Sequence, residues 1–299
     1  MDKKSKLISE WYRHKIQIIW FAITNSYVLG FLKGTIFQGK TKYICVPGLN
    51  CYSCPGALGA CPIGSFQSVM GSAKYKFSFY IIGFLVFFGG IFGRFICGWL
   101  CPFGLFQDLL NKIPFFKKVQ TFKGDKVLRK AKYIILLIFV ILLPLFLVDL
   151  IGQGDPYFCK LICPAGTLEG GIPLVLLNPN MRGALGFLYI WKNFILLITI
   201  ITSIIIYRPF CKYICPLGAI YSIFNSVSIY KLKVDKHECI NCGKCAHVCK
   251  MGVDPVKTPN STECIRCNIC KKECPSKAIS TGFKVKNYPI ATQKLNKNA

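Results

Sequence analysis

Two cysteine pairs with the same flanking residues constrain this chain more than any other feature. The pattern R-x-x-C-x-x-x-C-P-x-G begins at Arg94 and again at Arg208, each time directly after an apolar run. Two further Cys-Pro-x-Gly signatures begin at Cys61 and Cys163. A gap of three residues lets both thiolates of one turn reach the same metal centre, and two such pairs supply four ligands. The repeats therefore predict metal ligation, with the rest of the chain as its scaffold.

Proline follows the last cysteine of each repeat, where it fits the first position of a helix because its missing N–H costs nothing there. The thiolate then faces free N–H groups and the positive end of the helix dipole, which suits an anionic centre. The C-x-x-x-C-P spacing also occurs within the ligand run of bacterial ferredoxins. One pair alone would indicate buried structural cysteines or half of a zinc site. Four repeats in one chain favour iron–sulfur ligation.

Composition restricts the class of protein. The 299 residues are 53% hydrophobic and include 18 cysteines, which in a long apolar chain are better explained as metal ligands than as a disulfide scaffold. The net charge is +26, from 38 Lys and Arg against 12 Asp and Glu. These basic residues flank the apolar runs, which indicates membrane topology and not nucleic-acid binding.

Apolar stretches predict an integral membrane protein with four transmembrane helices, at residues 16–32, 77–93, 133–148 and 186–207. The positive-inside rule places both termini in the cytoplasm, including the basic segment 1–15, with 30 Lys and Arg inside and 8 outside. The expected fold of residues 16–230 is a membrane all-α domain. It is expected to be a duplicated two-helix unit with repeats at about 14–120 and 131–230.

This topology sorts the cysteines between the two membrane faces. At the inner face it places one complete set of four ligands, Cys97, Cys101, Cys211 and Cys215. Arg94 and Arg208 precede the two pairs at equal distance and are predicted to lie near this inner cluster, where a cation raises the reduction potential. The alternative is that both arginines are ordinary interfacial residues at the end of a span.

The outer face has more cysteines than one cluster needs. Cys159, Cys163 and Cys61 are predicted ligands, and the fourth is either Cys51 or Cys54, because Ala57 occupies the position four residues before Cys61. Cys45 is expected to be a spare thiol. A disulfide among these residues is the alternative on an exterior face.

The C-terminal region contains two complete rows of four cysteines with C-x2-C-x2-C-x3-C spacing, the second followed by proline. In the bacterial two-cluster arrangement the fourth cysteine of each row binds the other cluster. The predicted ligand sets are Cys239, Cys242, Cys245 and Cys274 for one [4Fe–4S] cluster, and Cys264, Cys267, Cys270 and Cys249 for the second. Residues 231–281 are therefore expected to form a small α+β two-cluster ferredoxin domain, followed by a polar basic tail at 282–299.

The motifs together resemble those of the membrane-bound polyferredoxin family, which includes quinol dehydrogenase membrane subunits, nitrous-oxide reductase regulators and cytochrome-oxidase maturation ferredoxins. The likeness covers roughly residues 75–280. It implies [4Fe–4S] clusters at the matching cysteines, two in the ferredoxin domain and one at each membrane site, and electron transfer across or along the membrane.

The function expected from these features is transfer of electrons between a cytosolic donor and a membrane or extracytoplasmic acceptor. A surplus of basic residues between 231 and 281 predicts an acidic donor of the ferredoxin or flavodoxin type. One alternative is a quinol dehydrogenase with quinone bound near His14 or residues 24–26. Another is a maturation factor that reduces metals or thiols outside, using Cys45 and Cys51.

Overall fold

The computed structural model describes residues 3–72, 78–114, 118–150, 152–183 and 185–283, with side chains from residue 10 onward. Its first nine α-helices are α1 (Lys3–Thr24), α2 (Val28–Lys33), α3 (Pro62–Gly71), α4 (Tyr80–Phe92), α5 (Phe95–Trp99), α6 (Pro102–Asn111), α7 (Asp125–Leu128), α8 (Ala131–Ile135) and α9 (Leu143–Phe146). The remaining ones are α10 (Tyr157–Leu161), α11 (Pro164–Gly166), α12 (Ile172–Leu177), α13 (Pro179–Arg182), α14 (Phe187–Ile205), α15 (Pro209–Tyr213), α16 (Pro216–Phe224), α17 (Lys244–His247) and α18 (Ile269–Glu273).

Three other kinds of element complete the described part of the chain. A 3₁₀ turn covers Lys40–Tyr43, and π-helical turns at Leu136–Leu142 and Thr167–Gly171 continue α8 and α11 without a break. Strands β1 (Lys231–Val234) and β2 (Ile279–Gly282) pair antiparallel, with Lys231 opposite Gly282.

Each Cys-Pro signature begins a helix, as the proline position predicts. The prolines after the cysteines start α3, α6, α11 and α16, while each cysteine is the extended residue before the helix. The thiols of Cys163 and Cys215 accept the backbone N–H of the glycine three residues later. The Cys-Pro-x-Gly spacing thus directs free helix N–H groups toward sulfur.

The predicted four membrane-spanning helices are wrong. Among the described residues, one helix is long and apolar enough to cross a membrane, α14, with a mean hydropathy of 1.9. A span needs about 20 apolar residues, but α4 has 13 residues, and the stretch 16–32 is interrupted between α1 and α2. The helical run 131–146 has a π-helical turn directly before α9, which contains Pro144. Residue 77, where the second predicted span begins, lies outside the described residues.

A separate α+β ferredoxin domain is not supported either. Met251, Val253 and Ile265 belong to the same buried core as Cys97 and Phe103. A smaller core under the two-stranded sheet contains Leu232, Cys245 and Ile279. The C-terminal region therefore buries part of its apolar surface against the first 230 residues and part in its own small core. The predicted tail lies outside the described residues from residue 284 onward.

Candidate iron–sulfur centres

The first group of cysteines, here called set A, consists of Cys97, Cys101, Cys211 and Cys215. Helices α5 and α15 hold one cysteine each, and the turns that precede α6 and α16 hold the others, all 5–6% exposed. Burial raises the pKa of the Cys101 thiol, and the nearby Cys211 and Cys97 raise it further. The four side chains predicted for the inner site are thus brought together in one place.

Arg94 and Arg208 are fully buried beside set A and cross between its two pairs. The Arg94 Nη2 donates to the carbonyl oxygen of Cys211 at 3.0 Å, and the Arg208 Nη1 donates to that of Cys97 at 2.5 Å. Each arginine therefore ties its own half of the chain to the first cysteine of the other half. Both are core residues, which excludes the interfacial alternative.

The positive charges of these arginines are balanced by two carboxylates, which the sequence analysis did not identify. Asp108 accepts two hydrogen bonds from Arg208, both at 2.6 Å, and forms an ion pair with Arg13 at 2.8 Å. Burial alone would raise the pKa of Asp108, but Arg208 and Arg13 hold it well below its usual range. Glu263 pairs with Arg94 at 2.8 Å and with Lys132 at 2.5 Å. Asp108 could have been noticed in the sequence, because it is an acidic residue in the largely apolar helix that follows Cys101, in a chain with only 12 Asp and Glu.

The second group, set B, consists of Cys51, Cys61, Cys159 and Cys163. Burial raises the pKa of the Cys159 thiol to about 12, with further contributions from Cys61 and Cys51. A Cβ built on Gly166 would lie 3.6 Å from the Cys51 Sγ and 3.9 Å from the Cys163 Sγ. These are ordinary van der Waals distances, and they place residue 166 directly beside both sulfurs.

Of the two cysteines left open as the fourth ligand, the geometry favours Cys51. The Cys51 thiolate lies close enough to raise the pKa of Cys61, Cys159 and Cys163, whereas Cys54 is not among the groups that shift these three thiols. Burial raises the pKa of Glu169 to about 7, although its carboxylate accepts the Cys51 N–H at 2.7 Å. Cys45, the predicted spare thiol, is buried and donates to the Ser65 hydroxyl at 3.5 Å.

A cavity of about 1000 Å³ adjoins set B. Its walls combine apolar side chains such as Val69 and Ile81 with the polar groups of Lys42, Tyr80 and Lys192. The Lys192 Nζ donates to the carbonyl oxygen of Cys159 at 3.1 Å, the contact that Arg94 makes with Cys211 in set A.

Sets A and B are neighbours in one core, which corrects their predicted placement on opposite membrane faces. The backbone of Leu49 hydrogen-bonds the Cys101 thiol of set A, and Cys51 of set B follows two residues later. Two residues span at most about 7 Å, far less than the roughly 30 Å of a bilayer core. Tyr221 lies between the sets and donates its hydroxyl to the carbonyl oxygen of Pro47 at 2.9 Å.

The C-terminal rows form two further groups in the crossed arrangement that their spacing predicts. One small cavity is lined by set C, which consists of Cys249, Cys264, Cys267 and Cys270. Another is lined by set D, which consists of Cys239, Cys242, Cys245 and Cys274. In both groups the fourth cysteine of one row therefore joins the first three of the other.

Set C packs directly against set A. The Trp99 indole N–H donates to the carbonyl oxygen of Arg266 at 3.1 Å, beside the ion pair of Arg94 with Glu263. A Cβ on Gly98 would lie 2.4 Å from the carbonyl oxygen of Ile265, so the contact requires glycine. The loop that holds Cys264 and Cys267 is thus fitted to the turn between Cys97 and Cys101.

In the described ranges, no three His, Cys, Asp or Glu side chains converge tightly enough to hold a single metal ion. A four-iron cluster differs, because each thiolate binds a different iron and the sulfurs surround a volume and not a point. Set A fits such a group. Its thiols are buried, the Gly218 N–H donates a hydrogen bond to the Cys215 Sγ at 3.3 Å, and two buried arginines offset the negative charge of the thiolates. The cluster supplies one-electron transfer when bound.

Comparison with known proteins agrees with this chemistry. The 4Fe-4S binding domain family matches residues 77–123 and 192–236, the two segments that contain set A. Uncharacterized protein MJ0750 of Methanocaldococcus jannaschii is 31% identical over 66% of this chain and 75% of its own length. The putative electron transport protein YccM of Escherichia coli is 29% identical over 60% of this chain and 48% of its own. The ferredoxin-type protein NapH of Haemophilus influenzae is 22% identical over 91% of this chain and 92% of its own.

The chain belongs to the membrane-bound polyferredoxin family. It is an iron–sulfur electron-transfer protein, and the matched segments of the family contain the cysteines of set A. Sets B, C and D lie outside those segments. No solved structure matches the chain.

Proposed function

We propose that this polyferredoxin passes electrons from a cytosolic donor to a membrane or extracytoplasmic acceptor through [4Fe–4S] clusters held by sets A to D. The observation that supports this is the unbroken order of contacts D–C–A–B. Sets D and C meet where α17, which holds Cys245, packs against α18, which holds Cys270. Set C touches set A through Ile265 and Arg266, and set A touches set B through residues 49–51. Because electron tunnelling falls steeply with distance, such contiguity suits a conduit.

Set D is the proposed receiving end. Cys242 is exposed and Ile240 beside it is 65% exposed, whereas the cysteines of set A are buried. Residues 231–281 carry ten Lys and Arg against five Asp and Glu, so their surface attracts an acidic protein. An exposed apolar residue within a basic surface suits docking of a ferredoxin- or flavodoxin-type donor.

The test measures iron and acid-labile sulfide in protein purified without oxygen, followed by EPR during reduction. Four clusters correspond to about sixteen irons per chain. We expect Cys242→Ser to block reduction of the remaining clusters by a reduced ferredoxin, while dithionite still reduces them. Cys54→Ser is the matched control. About eight irons in the wild type, or undiminished reduction of Cys242→Ser by ferredoxin, would overturn the proposal.

A quinol dehydrogenase is the second candidate, favoured by the cavity beside set B. Its apolar walls and the Lys42 and Tyr80 donors suit a ring with oxygen substituents. The quinone sites expected from sequence are less suitable. The Thr24 hydroxyl already donates a hydrogen bond to the carbonyl oxygen of Trp20, and His14 lies against Asp108. Reduction of the purified protein by a soluble quinol, without ferredoxin, would decide for this function.

The structure does not favour the maturation factor. Its support was a pair of available thiols, but Cys45 is buried and Cys51 belongs to set B.

A further inference from the structure

Two buried glutamines make the same set of contacts in sets A and B. Gln107 and Gln67 each lie six residues after a Cys-Pro cysteine, and both are fully buried. The Gln107 Nε2 donates to the Cys211 Sγ at 3.3 Å, and the Gln67 Nε2 donates to the Cys159 Sγ at 3.2 Å. These partners are 104 and 92 residues away in sequence, so the repetition is not a consequence of local geometry.

The orientation of each amide is determined by its other partners. The second Nε2 hydrogen goes to the carbonyl oxygen four residues earlier, Phe103 for Gln107 and Ile63 for Gln67. The Oε1 accepts the backbone N–H of Phe210 at 3.2 Å in set A, and of Phe158 at 2.9 Å in set B. A flipped amide would set its oxygen against two acceptors and its NH₂ against a donor. The N–H group is therefore the one that faces sulfur.

A fixed N–H donor on a ligand sulfur favours the more negative state of the centre it binds. Reduction adds one electron to a [4Fe–4S] cluster and increases the negative charge on its thiolates, and hydrogen bonds to sulfur are among the factors that set the potential. The effect is strong in a buried site, where charge-assisted hydrogen bonds are little weakened by water.

We propose that Gln107 and Gln67 are positioning residues that hold an N–H on a cluster thiolate and raise the reduction potentials of the set A and set B clusters. The proposal rests on the cluster assignment under the proposed function. It adds a residue outside the cysteine motifs to each of the two sites.

The test is redox titration of the full-length protein with dithionite, followed by EPR, for Gln107→Met and Gln67→Met. Methionine keeps the length of the side chain but cannot donate. We expect each variant to lower the reduction equilibrium constant of its own cluster on the order of tenfold, about 59 mV for one electron, without loss of iron. The other steps of the titration should stay in place.

Gln17→Met is the matched control. Gln17 is also fully buried, but its Nε2 donates to the carbonyl oxygen of Cys101 at 3.4 Å and not to sulfur. If all three variants keep wild-type potentials with full iron content, the glutamines only brace the backbone and the proposal is wrong. If the wild type binds no cluster at sets A and B, the failure belongs to the proposed function, and the iron content distinguishes the two results.

Discussion

Asp108 shows how single residues make a buried cationic site tolerable. Its two oxygens take hydrogen bonds from Arg208, and one of them also meets Arg13. Because a charge buried without a partner is far more costly than an intact pair, Arg13 and Arg208 depend on this carboxylate. The same dependence connects α1, which supplies Arg13, with the turn before α15, which supplies Arg208.

We expect Asp108→Asn to reduce the free energy of unfolding by about 3–5 kcal/mol at neutral pH, because it leaves two buried guanidiniums short of their counter-ion. The folded pKa of Asp108 is depressed, so its contribution is complete above about pH 4 and is lost as the pH falls below that value. Urea unfolding of wild type and variant at pH 7 and pH 5 should therefore show the same difference.

Asp155→Asn provides the control for this measurement, since Asp155 pairs with Lys160 in a half-exposed position. Surface pairs contribute about 0–1 kcal/mol. Equal losses for Asp108→Asn and Asp155→Asn would contradict the buried network described for set A.

The sequence left Cys51 and Cys54 as alternative ligands, and replacing each in turn tests the assignment of Cys51 to set B. Cys51→Ser is expected to remove about four irons per chain, because it takes one thiolate from set B. Cys54→Ser is expected to leave the iron content unchanged. Iron and sulfide analysis after anaerobic purification measures both, and the reverse pattern would assign Cys54 to the cluster.

At the level of residues, sequence predicted the cysteines better than their surroundings. Ligand spacing is local, so the pairs and the crossed C-terminal rows can be read directly from the chain. Gln107, Asp108 and Glu263 could not be identified in the same way, because their partners are about 100 or more residues away. The choice of Cys51 over Cys54 likewise depends on how the loop from 45 to 61 folds back.

At the level of elements, apolar composition overstated helix length. The stretch 16–32 is apolar enough for a span, but α1 ends at Thr24, and Gly93 ends α4 with a positive φ of 53° after 13 residues. A hydropathy average does not register such breaks, because it counts the residues on both sides of them. The positions of the helix starts at Cys-Pro were predictable, since proline acts locally.

The close contact of α5 with the C-terminal region gives a test at this level. Gly98→Ala would set a Cβ 2.4 Å from the carbonyl oxygen of Ile265, and overpacking of this kind costs roughly 1–3 kcal/mol. We expect a lower melting temperature and faster proteolysis of the C-terminal region.

Gly83→Ala is the matched control, because Gly83 lies within α4 and nothing would approach its Cβ within 4 Å. That change should be neutral or stabilise by up to about 1 kcal/mol, as expected for alanine in a helix. A Gly98→Ala protein as stable as Gly83→Ala would mean that α5 and the Ile265 loop are not packed together in solution.

At the level of the whole molecule, the cysteine sets follow one another from an exposed end at set D to a buried end at set B. The sequence predicted the groups of sets A, C and D and left Cys51 or Cys54 open as the fourth member of set B, but it placed sets A and B on opposite membrane faces. It could not show that residues 45–51 pass between them, since this depends on the tertiary contacts of Leu49 and Tyr221.

The charge of the exposed end predicts a salt-dependent reaction. Reduction by an acidic donor protein should slow roughly tenfold or more as salt is raised, because steering between opposite charges is screened. Reversing the charge of two exposed lysines near set D, in the double variant Lys236→Glu and Lys277→Glu, should slow the reaction at low salt. Lys33→Glu with Lys40→Glu, a change of equal charge at exposed positions outside the cysteine rows, serves as control in stopped-flow measurements. A rate independent of salt would argue against an acidic donor.

The shared stretch between sets A and B also limits how the chain can change. Leu49 and Cys51 are separated by a single residue, and each contacts a different candidate centre. Adding or deleting one amino acid there would shift the register of both at once, whereas most surface loops absorb such changes at little cost. Natural variation in length is therefore expected to be concentrated elsewhere in the chain.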